Sequence, residues 1–162
     1  MDDVALSFDT SELLPQRSFG YRLWRLRHAW TRRVEAVLGR TGLTHMQFFL
    51  LRVLEHCACD RPSQTRLAEL LEVDRMTISK VVRTLEAKGL LTRVPHPDDP
   101  RANLLALTEA GHTVAAEAAE LALAEQNRFF GRLGPARSVE FSAMLDELLD
   151  QPECRRLAGE RV

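Results

Sequence analysis

Between residues 63 and 83 the sequence sets out side chains suited to hydrogen bonding along a double helix. Arg75, Thr77, Ser79, Lys80 and Arg83 fall on one side of a helix whose opposite side carries Ile78, Val81, Val82 and Leu85. Small hydroxyls in the first turns of such a helix bring hydrogen-bonding groups to base edges in a major groove, and later basic groups meet phosphates. Upstream, Ser63, Gln64 and Thr65 open a shorter helix holding Leu67-Ala68 and Leu70-Leu71, which completes a helix-turn-helix layout and adds three further candidate contacts. An ordinary amphipathic helix pair with a solvated face fits the same segment.

The segment after the second helix favours the nucleic-acid reading. Gly89 stops that helix, and the period changes: residues 90–94 read as a strand, 95–100 as a turn and 103–107 as a second strand. The tip Pro95-His96-Pro97-Asp98-Asp99-Pro100-Arg101 is stiffened by three prolines. Arg101 suits a narrow minor groove, where the negative potential is strongest, and Asp99 can orient its guanidinium. Arg93 and His96 complete the contacts expected of this wing.

A second constellation is aromatic. Arg17, Tyr21, Trp24 and His28 recur at steps of 4, 3 and 4 on the first helix, and His45 and Phe48 lie a turn apart on the next. A box of rings with a cation suits a small aromatic acid. The same rings also serve as packing between two chains.

Cys57 and Cys59, beside His56 and Asp60, raise the question of a metal or a reactive thiol. Residues two apart on a helix point to nearly opposite sides, so a shared metal needs the helix to end at Cys57; a small core residue is the simpler reading, and no metal or cofactor is expected. The histidines at 28, 45, 56, 96 and 112 are scattered, and no phosphate loop, His-Glu-x-x-His or nucleophile elbow occurs. An enzyme is not expected.

These groups need elements to hold them. Phe19, Leu23, Leu26, Trp30, Val34 and Val37 form one stripe of a first helix near 15–40. Thr44 caps a second, running to about 58, with Met46, Phe49, Leu50, Val53, Leu54 and Cys57 inward. Ser63 caps the third, near 64–71, and Asp74 the fourth. Thr108, followed by Glu109, caps a long fifth helix reaching about 131, and Gly134-Pro135 separates a sixth that carries Val139, Phe141, Met144, Leu145, Leu148 and Leu149. Amphipathic helices at both ends leave more apolar stripe than one chain of this size can cover, which points to a two-fold dimer.

Composition agrees with a soluble globular chain: 162 residues, 45% apolar and 28% charged, with a net charge of −1. Residues 21–40 hold six arginines against Glu35, whereas residues 60–105 balance eight basic groups against seven acidic ones. That near-neutral middle keeps open a protein that has the winged shape without DNA affinity. No apolar run is long enough to span a membrane, and the acidic start lacks the features of a signal peptide, so a cytoplasmic protein is expected.

The stretches Leu43-Thr44-His45-Met46-Gln47-Phe48, residues 65–75, Leu85-Glu86-Ala87-Lys88-Gly89-Leu90-Leu91-Thr92-Arg93, Asp99-Pro100-Arg101 and Leu107-Thr108-Glu109-Ala110-Gly111 together resemble the MarR family of winged-helix transcriptional regulators, over about residues 19–113. The resemblance implies a homodimer joined through the first, fifth and sixth helices, the fourth helix as reader, and Asp99 and Arg101 as the wing's acidic and basic pair. Pro100 between them departs from the family pattern and removes one phosphate contact. Many such regulators release DNA when a small molecule, often aromatic and acidic, enters the cleft between the dimer module and the DNA-binding lobe. Peroxide-sensing members carry a cysteine near the start of the first helix, which this chain lacks.

The expectation is a mainly α fold with a small β-hairpin: an arm and dimerisation helix in 1–44, a winged helix-turn-helix in 45–107 and dimerisation helices in 108–162. The function expected is that of a dimeric repressor on a pseudo-palindromic double-stranded operator, released by a small effector. The alternatives are a helical dimeric interaction protein and a thiol- or metal-responsive regulator.

Overall fold

The computed structural model describes residues 18–57, 61–96 and 103–150. Six α-helices and one hairpin are arranged in the order α1 (Phe19–Leu38), α2 (His45–His56), α3 (Gln64–Leu70), α4 (Arg75–Ala87), β1 (Leu91–Pro95), β2 (Asn103–Leu107), α5 (Glu109–Phe130) and α6 (Pro135–Leu149). The chain is mainly α with a winged helix-turn-helix at its centre.

Local chemistry fixes most of the boundaries. Each side chain of Ser18, Thr44, Ser63, Asp74 and Thr108 accepts the amide three residues on, satisfying a donor that the first helical turn leaves without a partner. At Thr44 the cap is reciprocal, because the Gln47 side chain accepts the Thr44 amide in return. Gly89 takes the left-handed conformation after α4, at φ 69°.

The hairpin is antiparallel and in register from Leu91 opposite Leu107 to Pro95 opposite Asn103, so Pro95 belongs to β1 and not to the turn expected there. The middle of β2 is stitched to the residue before the cap of α3, where the Leu105 amide donates to the Pro62 carbonyl at 3.0 Å.

One core joins the layers. Val34 and Leu38 of α1, Leu50, Leu51 and Leu54 of α2, Leu67 of α3, Ile78, Val82 and Leu85 of α4, Leu105 of β2, and Ala115 and Ala118 of α5 are all buried in it. The joint between wing and α5 is tight. The Thr108 hydroxyl donates to the Gly89 carbonyl at 2.7 Å, and Gly111 lies so close to Leu90 that a Cβ there would meet the Leu90 carbonyl oxygen at 1.9 Å.

Two expected faces differ. The α1 stripe packs only from Trp30 onward; Phe19 and Leu23 are 68% and 60% exposed, because α5 ends at Phe130, beside Trp30, and does not extend to them. On α2 it is Phe48 that is buried, while Phe49, expected inward, is 44% exposed. Packed against α1, α4, α5 and the wing, α2 buries a stripe through Gln47, Leu50, Leu51 and Leu54, and Phe49 falls at its edge. No residue of α6 is buried, and Val139, Met144, Leu148 and Leu149 face outward. No helix among the described residues is long and apolar enough to cross a membrane.

Candidate nucleic-acid interface

The first turn of α4 is organised around Asp74. Its carboxylate accepts the Thr77 amide at 2.8 Å and the Thr77 hydroxyl at 2.6 Å. That hydroxyl bond, foremost among the causes, holds the Asp74 carboxyl below its ordinary value of 3.8. The Thr77 proton is thereby committed to the cap. What the Thr77 hydroxyl has left to offer is an acceptor.

Arg75, Lys80 and Arg83 stand exposed along α4, and Ser79 is half-buried among them. The Arg83 side chain leans back along the helix, its Nε donating to the Ser79 carbonyl at 3.4 Å. The sequence pattern did not single out Met76, which is 77% exposed in the first turn.

Ser63 is occupied as the cap of α3, accepting the Arg66 amide at 3.2 Å, while Gln64 and Thr65 are half-buried in its first turn. On the wing, the Arg93 Nε lies 3.1 and 3.2 Å from the two Glu86 oxygens, so this guanidinium ties β1 to α4. His96 is half-buried just past β1. Asp99 and Arg101 lie outside the described residues, as do Arg17 and Cys59.

The expected aromatic group divides in two. Tyr21, Trp24 and His28 stack along α1, with centroids 5.9 and 4.6 Å apart, and the Arg25 guanidinium sits 5.9 Å from the Tyr21 ring. His45 and Phe48 instead line a cavity of about 370 Å³ between α1, α2 and α5, whose other walls include Trp30, Phe49, Arg52 and Gln126. Neither Tyr21, Trp24 nor His28 borders it. Trp30 is expected from the sequence only as part of the packed stripe; its place one turn before Val34 on that inner face is the signal that could have put it at the cavity. Burial holds the His45 imidazole below its ordinary 6.5, with the Glu35 carboxylate opposing the shift in part.

Beside this cavity Glu125 of α5 is only 4% exposed, paired with Arg33 of α1 and 3.6 Å from Arg128. The Arg33 guanidinium also lies 5.5 Å from the Phe129 ring. No spacing in the sequence announces this pair. Cys57 lies just past the last turn of α2, half-buried with a free thiol, and no metal-binding group of three or more His, Cys, Asp or Glu occurs among the described residues.

Residues 43–102 match the sequence profile of the MarR family. Over 137 residues the chain is 34% identical to the uncharacterized HTH-type transcriptional regulator YdcH of Bacillus subtilis, a match that spans 83% of this chain and 92% of that one. Among solved structures it is similar to the transcriptional repressor CouR bound to a 23-mer DNA duplex, with a TM-score of 0.77 and 27% identity over 87% of this chain and 97% of that one. It is also similar to CouR from Rhodococcus jostii RHA1 bound to p-coumaroyl-CoA, with a TM-score of 0.72 and 26% identity over 85% and 93% of the two chains.

Proposed function

The chain belongs to the MarR family of transcriptional regulators, which are not enzymes, and on that premise we propose that it is a cytoplasmic homodimeric repressor which lets go of its operator when an aromatic acid or its thioester enters the cavity beside Trp30. The observation that carries this reading is the outer face of α4, where Arg75, Lys80 and Arg83 stand exposed beside a rigidly capped first turn. Residues 45–107 act as the DNA-binding unit, with the chain on either side of them as the dimer module. Arg101 and Asp99 at the wing tip extend the contact to a minor groove.

Dimerisation is supported by the apolar side chains that a single chain leaves uncovered, Phe19 and Leu23 on α1 and Val139, Leu148 and Leu149 on α6. Two reading helices related by a two-fold axis meet half-sites about 34 Å apart, one turn of duplex. The effector reading is supported by the cavity: its volume lies within the range of roughly 300–1,000 Å³ typical of small-molecule sites, its lining combines the rings of Trp30, Phe48 and Phe49 with aliphatic side chains, and His45, with Arg52 once it leaves its Glu55 partner, can meet a carboxylate or a carbonyl. The bound p-coumaroyl-CoA of the Rhodococcus protein is consistent with an aromatic acyl group there.

Selection of a random duplex library with the purified protein tests the reading. A palindromic site bound by two chains, released by p-coumarate or its coenzyme A thioester with quenching of Trp30 emission in a Trp24→Phe background, is the expected result. Absence of salt-dependent duplex binding overturns it.

A further inference from the structure

Met76 is the one large apolar side chain of α4 left exposed, and it sits in the first turn, where the outer face otherwise carries polar and charged groups. Single exposed apolar residues are common on proteins, so exposure alone means little. Its neighbours give it meaning. The Thr77 hydroxyl proton is held by Asp74 at 2.6 Å, so the hydroxyl nearest Met76 is not available as a donor to a base. Arg75 precedes it, and Lys80 lies one helical turn on; both are exposed and suited to phosphates or guanine edges. Met76 adds an apolar means of reading a base to these polar ones, and the major groove offers a single apolar base feature, the C5 methyl of thymine. An unbranched thioether with three rotatable bonds adapts to such a contact without a fixed backbone distance.

We propose that Met76 reads a thymine methyl in each half-site. The proposal deepens the assignment of α4 as the reading helix and rests on it.

Replacing each thymine of the selected site in turn by deoxyuridine removes one methyl and leaves every hydrogen-bonding group in place. For the unmodified protein, one position per half-site is expected to lose about fourfold in affinity, the equivalent of one small apolar group's burial. Met76→Ala and the similarly long but polar Met76→Gln are expected to bind the thymine and deoxyuridine duplexes equally, and to lose the thymine preference at that position in a repeated selection. If both variants keep the same deoxyuridine penalty, or if no thymine of the site responds in the unmodified protein, Met76 does not read a methyl although α4 still reads DNA. Loss of binding to every duplex by both variants also counts against the proposal, because one methyl contact does not carry a whole affinity. Failure of the unmodified protein to select any duplex overturns the reading helix itself, and Met76 with it.

Discussion

The Lys88 ammonium, directly after α4, donates to the Gln47 side-chain carbonyl at 3.1 Å and to the Gly42 main-chain carbonyl at 2.6 Å. The same Gln47 oxygen accepts the Thr44 amide at 3.1 Å, so one buried amide serves both the cap of α2 and the end of α4. The helix proposed to read DNA is thus fastened to the helix that supplies His45, Phe48 and Phe49 to the cavity.

Lys88→Met removes that fastening while keeping most of the apolar stem. With Lys88 largely exposed, the expected cost is about 1 kcal/mol, or a melting temperature lower by roughly 2–4 °C. DNA affinity should fall with the salt dependence unchanged. A salt slope reduced by about one would instead mark Lys88 as a phosphate contact.

The Asp74 cap has a pH signature. A carboxyl held below its ordinary 3.8 favours the ionised form in the folded chain, so its stabilisation is complete above the usual carboxylate range and is lost as pH falls from about 4 through the lowered value. Asp74→Ala should therefore melt earlier than the unmodified protein at pH 7, with the gap closing as melts are repeated toward pH 3. A gap independent of pH would assign the effect to helix propensity and not to the charge.

Gly111→Ala places a methyl 1.9 Å from a main-chain oxygen that no side-chain rotation can move aside. Overpacking of this kind costs about 1–3 kcal/mol, so the melting temperature should drop by several degrees, and the wing should shift on its helix with a loss of DNA affinity. A variant that melts and binds as the unmodified protein does would show that the joint yields.

His45 links the cavity to pH. Burial lowers its pKa, so the unoccupied protein gains stability as pH rises toward and past 6.5, and loses it as pH falls from 6.5 through the lowered value. An aromatic carboxylate seated against His45 reverses that preference, so binding takes up a proton and tightens as pH falls from 8 toward 6. Calorimetry with p-coumarate in buffers of different ionisation enthalpy measures the uptake, and His45→Gln should abolish it. Equal affinity across that range in the unmodified protein would place the carboxylate elsewhere.

The sequence discloses most readily the features that depend on neighbours three or four residues away. The caps at Thr44, Ser63, Asp74 and Thr108 each need one side chain and one nearby amide, and the wing announces itself through a change of period after Gly89. The hidden features depend on which elements meet. Arg33 and Glu125 pair across 92 positions, and nothing in either neighbourhood marks them. Trp30 and Phe49 border a cavity only because α5 crosses where it does, and Arg93, basic and near the expected interface, turns back to Glu86 once β1 lies against α4. Tyr21, Trp24 and His28 share a face of α1 as their spacing requires; their separation from His45 and Phe48 comes from helix packing, which spacing does not encode.

The tight seat of Gly111 on Leu90 makes α5 a lever. Its 22 residues span about 33 Å, with the wing fixed at one end and Phe129 and Phe130 resting on Trp30 at the other. With α5 straight and Gly111 seated directly on Leu90, a tilt of only about 5° over that length corresponds to about 3 Å at the wing base, as much as the whole length of a hydrogen bond. In the proposed dimer, two such levers would change the spacing of the two α4 helices by twice that amount. The mechanical advantage lies in the close seat that a residue without a Cβ allows.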